Sequence, residues 1–416
     1  MTRHVVIVGA GVIGLSCAYF ASQRGWRVTV IERNPASRDG CSFGNAGMIV
    51  PSHFVPLAAP GMVALGLRWM WNPESPFYIK PRFDLDLFSW AFRFWRSSSK
   101  QHVDRSAPLL RDLSLRSRQL FVDLESQGLS FGLEQNGLLM LCRTEKGLEE
   151  EVHTAERAQT LGLPAEVASP QRLAELDPSI SMDVAGGVWY PKDCHLSPQR
   201  YVYSLESSLR ARGNDLQFDT SIVGWRKEAG RIVAVQTNRG EVEADEFVLC
   251  GGSWSPELVK PLSLGLPMQA GKGYSLTLDQ PRQLPRLCSI LTEARIAVTP
   301  MGQQLRFGGT MELAGVDESI NKRRVNGIVR SIPDYFPQFK SEDFAGITPW
   351  SGLRPCSPDG MPYIGRTSRW KNLTVATGHA MMGLSLAPVT GEVVSQVLEH
   401  EQTELHSSLL SPDRFG

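Results

Sequence analysis

What this chain has little of narrows its class first. Neither sign of charge dominates: 43 Lys and Arg stand against 43 Asp and Glu, so the formal net charge is zero. A balanced surface offers no general field for a polyanion, which argues against nucleic acid as a partner. The seven cysteines are odd in number and scattered, with no CxxC pair and no Cys/His cluster at zinc spacing. A disulfide framework and a structural metal are therefore not expected, no metal ligand is assigned, and a reducing compartment is implied. No run of 18 apolar residues occurs beyond the N-terminal stretch, so no spanning helix is expected. That stretch, residues 5–21, superficially resembles a signal peptide. Three glycines interrupt it and Glu32 follows, so it reads as strand, turn and helix. Internal repeats and low-complexity tracts are also missing.

What is present points to a mixed α/β chain of two or three domains, given 416 residues. Residues 4–8 (HVVIV) form a continuous β-branched run, as in a parallel strand buried on both faces. A helix over 12–22 and a second strand over 27–31 complete one βαβ unit. Residues 51–100 are rich in Pro and Trp, and no long period emerges until 87–95 (LFSWAFRFW). That segment reads as an aromatic helix flanked by Arg93, Arg96 and Lys100. Helices are expected over 107–127 and 145–162, with a strand at 137–142 between them. Ser197 and Pro198 have the cap and first-turn chemistry of a helix running to about residue 212. Strands are expected near 217–218, 232–237 and 247–250. Alternating polarity over 268–312 predicts an antiparallel sheet with one wet face. Residues 373–376 and 384–398 return to strand and helix.

Gly9-Ala10-Gly11-Val12-Ile13-Gly14 matches GxGxxG, with an apolar strand before it, a helix after it, and Glu32 18 residues beyond Gly14. Gly9 permits the tight turn, Gly11 lets backbone approach a pyrophosphate, and Gly14 lets helix and strand pack closely. The diphosphate would sit on the helix N-terminus, where unpaired N–H groups and the dipole favour negative charge. Glu32 would accept from ribose hydroxyls. The pattern alone does not separate NAD from FAD.

Further segments carry a nearly end-to-end resemblance. They are SFGNAGMIVPS at 42–52, LCGGSWS at 249–255, GKGYSLTL at 271–278, WSGLRPCSPDGMPYIG at 350–365 and GHAMMGLSLAPVTG at 378–391. With these the chain resembles the small-subunit type of FAD-dependent D-amino-acid dehydrogenase, in the D-amino-acid oxidase superfamily. The last segment resembles the D-hydroxyproline dehydrogenase group. The resemblance implies an α/β (α+β two-domain) fold of the glutathione-reductase-like, D-amino-acid-oxidase kind. A Rossmann-type FAD-binding domain (1–50, 194–265 and 346–416) would carry an inserted antiparallel-sheet substrate domain (51–193 and 266–345).

The implied cofactor is FAD. Its cradle would comprise the glycine motif, Glu32, Arg33, Ser42, Asn45, Ala46, Gly47, Met48, Val223, Gly251, Gly252 and Trp254, with Gly378, His379, Met381, Met382, Gly383 and Leu384 at the flavin. Some relatives bind flavin through a cysteine near the Pro-Asp; Gly352 stands there in this chain, which implies non-covalent FAD. Arg354 matches the arginine of Gly-x-Arg-Pro and would hold the substrate carboxylate, its planar fork suiting bidentate contact. Tyr274 and His53 are further pocket candidates, and a core tyrosine is the competing reading of the first. His379 is expected to position the flavin rather than transfer protons.

The implied reaction moves hydride from Cα to flavin N5 and yields an imino acid that water hydrolyses to a 2-oxo acid and ammonia. D-Proline or cis-4-hydroxy-D-proline would give a cyclic imine instead. The expected electron acceptor is a respiratory quinone or a partner subunit. The expected location is cytoplasmic, with residues 86–100 meeting a membrane surface, a partner or the substrate domain. The competing functions are a glycine/sarcosine-type amine oxidase using oxygen, and an FAD-bearing subunit inactive alone.

Overall fold

A computed structural model describes residues 2–69, 75–401, 405 and 407–416. Within the Pro- and Trp-rich stretch 51–100, residues 70–74, Met70 and Trp71 among them, lie outside the described residues. The glycine-motif strand His4–Val8 lies inside a six-stranded sheet. The order is Tyr363–Arg366, Leu373–Thr377, Glu246–Leu249, His4–Val8, Arg27–Ile31, Asp215–Gln217. All neighbours are parallel except the first pair. His4–Val8 is buried along its whole length, as its uninterrupted apolar run requires. The helix Val12–Gln23 covers one face and packs on the C-terminal helix Ala387–Leu398, with Val12, Leu15 and Val393 in one core.

The second sheet has nine strands. Its path runs Trp350–Cys356, Gln269–Leu278, Gln304–Leu313, Ile296–Met301, Cys288–Leu291, Leu138–Cys142, Gly186–Tyr190, Glu166–Ala168, and Phe77–Ile79 pairs with Gln304–Leu313. The four strands of the 268–312 region alternate as expected, but the sheet is mixed. Cys288–Leu291 is parallel to Leu138–Cys142, and Phe77–Ile79 is parallel to Gln304–Leu313. Trp350–Cys356, which the sequence boundary at 346 groups with the first sheet, is the edge strand of the second. It therefore carries Arg354 from one sheet toward the other.

One helix starts earlier than its sequence suggests. Proline at 108 favours a start near 107, yet the helix spans Lys100–Ser126 with Pro108 inside. Ser99 explains this: its hydroxyl accepts from the His102 N–H at 3.2 Å, a cap that stabilises a helix by about 1 kcal/mol. The aromatic segment is the helix Leu85–Ser97, capped by Asp84. Leu87 and Trp90 face inward, and Trp90 Nε1 donates to the Cys356 carbonyl at 2.9 Å. Among the described residues, no helix is long and apolar enough to cross a membrane.

Candidate active site

An elongated cavity of about 420 Å³ runs from the carboxyl ends of the parallel strands to the edge of the second sheet. The glycine motif forms its floor. Gly9 adopts φ +103°, and a Cβ there would lie 2.5 Å from the Cys250 carbonyl oxygen. A Cβ on Gly14 would lie 1.9 Å from the Gly9 carbonyl oxygen. Only glycine allows this turn and this approach. The Val12 N–H at the helix start donates to Ser42 Oγ at 2.9 Å, which ties the second predicted segment to the first.

The buried Glu32 carboxylate accepts from the Ala10 N–H at 2.8 Å and the Asn34 N–H at 3.0 Å. It is thereby held at the strand end with lone pairs left for ribose hydroxyls. Beside it the Arg33 guanidinium stacks on the Trp254 ring, 3.8 Å from the centroid. Both line the cavity and offer a flat wall. Arg38, not foreseen from the sequence, also lines it. Its guanidinium donates to the Ala10 carbonyl at 2.7 Å and pairs with Glu206.

At the far end the cavity meets Asn45, Arg354, His379, Gly383 and Leu384. Arg354 Nη1 donates to the Thr310 carbonyl at 2.7 Å. Thr310 has φ +66°, a strained conformation for a β-branched residue, and it turns that carbonyl toward the guanidinium. The guanidinium fills the space over Gly273, where a Cβ would lie 2.2 Å from Nη2. His379 donates from Nε2 to Thr390 Oγ1 at 3.0 Å, because the Thr390 hydroxyl is itself donated to the Leu386 carbonyl at 2.7 Å. Burial holds its pKa down to about 3, so the ring is neutral. A fixed tautomer and a neutral ring suit positioning. The thiol of Cys41 lines the cavity, and burial pushes it up to about 11 against the charge of Arg354. Cys356 is fully buried and pushed up to about 12 by the same cause. Neither is a ready nucleophile.

Fifteen of the sequence candidates line this one cavity: Gly9, Gly11, Val12, Ile13, Glu32, Arg33, Ser42, Asn45, Gly251, Gly252, Trp254, Arg354, His379, Gly383 and Leu384. The others do not. Gly14 lies under the turn, and Gly378 packs on the Tyr363 ring. Met48 pairs with His195, Gly47 accepts from the Leu196 N–H, and Ala46 and Met382 pack against buried core. Val223 is 69% exposed and Met381 49%. Strand alternation explains Val223, because its neighbour Ile222 is the one turned to the cavity.

Tyr274 needs the same correction. Gly271 and Gly273 share a face with Arg354, so Tyr274 points the other way. Its hydroxyl donates to Glu312 Oε2 at 2.8 Å inside the core, and burial with that carboxylate raises its pKa. His53 is also off the cavity, bonded to Ser52. The sequence reading missed Arg306, a buried cation on Gln304–Leu313. Its Nη1 donates to the carbonyls of Phe43 (3.0 Å) and Asn45 (2.8 Å), clamping the cavity loop to the second sheet. An isolated arginine on an alternating strand carries no motif that would single it out.

The cavity fits a dinucleotide: a tight glycine turn under a helix N-terminus, a carboxylate at the second strand, and a flat cation–aromatic wall. Comparison with known proteins agrees. The family model described as FAD dependent oxidoreductase matches residues 4–397. The chain is similar to a D-amino acid dehydrogenase of Methylobacterium radiotolerans, 32% identical, with 99% of this chain and 100% of that protein covered. A D-amino acid dehydrogenase of Granulibacter bethesdensis is 30% identical over the same shares. Among solved structures, glycine oxidase from Geobacillus kaustophilus superposes with TM-score 0.80 at 23% identity, covering 99% of each chain.

Proposed function

The chain belongs to the FAD-dependent oxidoreductase family, and from that premise we propose that it oxidises D-amino acids as a dehydrogenase. The observation that carries the substrate class is Arg354, a cation presented into the cofactor cavity with no carboxylate bonded to it among the described residues. The names of the full-length relatives support the same reading. FAD bound in the cavity supplies the acceptor for two electrons from the substrate. The residues 1–50, 194–265 and 346–416 form the cofactor unit in this reading, with the strand Trp350–Cys356 shared.

Arg354 holds the substrate carboxylate through its remaining N–H groups, while Thr310 and Gly273 fix the guanidinium plane. His379, neutral and locked by Thr390, shapes the wall beside the ring. Asn45 and the turn 379–384 face it. Orientation and exclusion of water then lower the barrier more than any charged catalytic group would. The cofactor is held without a covalent bond, which the protonated Cys41 and buried Cys356 support. D-Proline and 4-hydroxy-D-proline are the substrates to try first.

The acceptor in this reading is a respiratory quinone or a partner subunit met at the outer face of Leu85–Ser97. Phe88, Phe92 and Trp95 on that face are 57–63% exposed, an unusual density of aromatic surface.

The test is anaerobic addition of D- and L-amino acids to the FAD-loaded chain, followed by the flavin absorbance. Bleaching by D-enantiomers alone supports the proposal, and bleaching by none refutes it. Admitting air then separates dehydrogenase from oxidase, since rapid reoxidation with peroxide formation would assign the chain to the oxidase type.

A further inference from the structure

Among the described residues, several buried side-chain polar atoms have no hydrogen-bond partner. Only one of them, His379 Nδ1, belongs to a residue that lines the cavity. The other side of the ring fixes its state. The Thr390 hydroxyl donates to the Leu386 carbonyl, so toward His379 it can only accept, and the proton sits on Nε2. Nδ1 therefore carries a bare lone pair, and burial keeps the ring neutral. A hydroxyl without a partner can rotate to find one. This nitrogen cannot, because Thr390 holds the ring and the backbone bridges to Cys356. The turn around it is also strained. Gly378 has φ +79°, and Ala380, which carries a side chain, has φ +47°. Such backbone persists where the surroundings over-determine it and gathers at ligand sites.

A buried acceptor that meets no donor destabilises the fold. His379 is only 2% exposed, and the cavity is what its ring borders. The donor for Nδ1 is thus to be sought in what fills the cavity.

We propose that His379 Nδ1 accepts a hydrogen bond from an N–H or O–H at the flavin end of bound FAD, and so selects one seating of the ring. The proposal rests on FAD in this cavity and not on the identity of the substrate. That end of the cofactor has few donors, namely the ring N3–H and the ribityl hydroxyls. Its other ring heteroatoms accept, and any seating that brings one of them against Nδ1 sets two lone pairs together. Arg354 lines the same end of the cavity, so a seating chosen by His379 also decides which part of the ring faces the proposed carboxylate anchor.

Two measurements test the bond, and neither depends on turnover. In ¹⁵N-histidine NMR, with the His379 signals assigned from His379→Asn, the ring should be the Nε2–H tautomer. FAD loading should move the Nδ1 resonance upfield, the direction of hydrogen-bond acceptance. N3-methyl-FAD and the ribityl-deoxy forms of FAD then name the donor: the analogue that lacks it should leave the resonance where it stands without cofactor. In fluorescence titration, His379→Phe, flat but without an acceptor, should raise the FAD Kd about tenfold. His379→Asn, whose amide oxygen can stand where Nδ1 stands, should recover most of that loss. The analogue lacking the donor should bind wild type about tenfold more weakly, and His379→Phe should add nothing to its loss. A resonance unmoved by FAD, or losses that add for every analogue, overturns the proposal. A shift that appears only with an added amino acid assigns the bond to the substrate amine and overturns it as well. If His379→Phe does not fold, the wild-type resonance with FAD and with the analogues decides. Bleaching by no amino acid refutes the substrate reading alone.

Discussion

Gly273→Ala is the sharpest perturbation of the proposed carboxylate anchor, because it displaces Arg354 without touching its charge. The new Cβ would fall 2.2–2.4 Å from Nη2, Nη1 and Cζ of the guanidinium. No real Cβ tolerates such contacts, and the atoms it meets are the far end of a flexible side chain. The sheet should therefore keep its register while Arg354 swings away and loses its 2.7 Å bond to the Thr310 carbonyl. A charge-assisted hydrogen bond contributes about 1.5–3 kcal/mol, and about 1.4 kcal/mol is tenfold in affinity. Losing one bond of the substrate fork should raise KM about 10- to 100-fold. Arg354→Met should do the same or slightly more.

Both changes remove one anchor, so the double variant should be no worse than Arg354→Met alone, a strongly non-additive cycle. The assay is anaerobic bleaching by a D-amino acid across concentration, at FAD occupancy matched by absorbance. An unchanged KM in Gly273→Ala, or additive losses in the double variant, would refute the placement of the carboxylate on Arg354.

Arg306→Met should leave the Phe43 and Asn45 carbonyls unpaired. It should destabilise the protein by about 2–4 kcal/mol and weaken FAD retention, read by thermal unfolding and by flavin release on dilution. Glu32→Ala removes the acceptor of the Ala10 and Asn34 N–H groups together with the ribose contact. The FAD Kd should rise about 100-fold by fluorescence titration. His195 is buried with its pKa lowered by desolvation to about 4, whereas the unfolded ring titrates near 6.5. Its stability contribution is complete above pH 6.5 and is lost as pH falls toward 4, at about 1.4 kcal/mol per unit. His195→Asn should flatten the fall of Tm across that window. Replacing Phe88, Phe92 and Trp95 together by Ser should leave bleaching intact, and should abolish cosedimentation with anionic lipid vesicles if the acceptor lies in a membrane; an unchanged pellet fraction rejects the patch as the contact.

The parts of the site legible in the sequence are those where backbone does the binding. Gly9 and Gly14 are dictated by φ and close approach, and no other residue type satisfies them, so the motif and its neighbours Glu32 and Ser42 could be placed in advance. Arg354 was legible because a proline and glycine frame it. Tyr274 and Val223 were not, because a strand turns neighbours to opposite faces and a one-residue choice of face reverses the role. The alternation over 268–312 predicted the strands but not the parallel entry of Leu138–Cys142 and Phe77–Ile79. Those pairings join segments far apart in the chain, and no local pattern encodes them. Arg306 and Thr310 act through a carbonyl contact and a strained backbone, neither of which has a spacing signature.

The contacts that close the cavity also explain why its pieces are so dispersed in the chain. Arg306 holds the loop 43–45 from the second sheet, and Trp350 Nε1 donates to the Asp39 carbonyl at 3.2 Å from the same sheet. Ser253 Oγ donates to the Leu353 carbonyl at 3.0 Å from the opposite direction, and His379 bridges to Cys356. Each bond crosses between the parallel sheet and the mixed one, and each lands within a few residues of a cavity wall. The strand Trp350–Cys356 is common to most of them. A change in the cofactor loop is thus felt one or two residues from Arg354, and a displaced Arg354 strand is felt at the loop. The cofactor cradle and the proposed carboxylate anchor therefore form one mechanical unit. Substitutions in Trp350–Cys356 should for that reason move FAD affinity and KM together, whereas Gly273→Ala, which acts on a side chain and leaves the strand in place, should move KM alone.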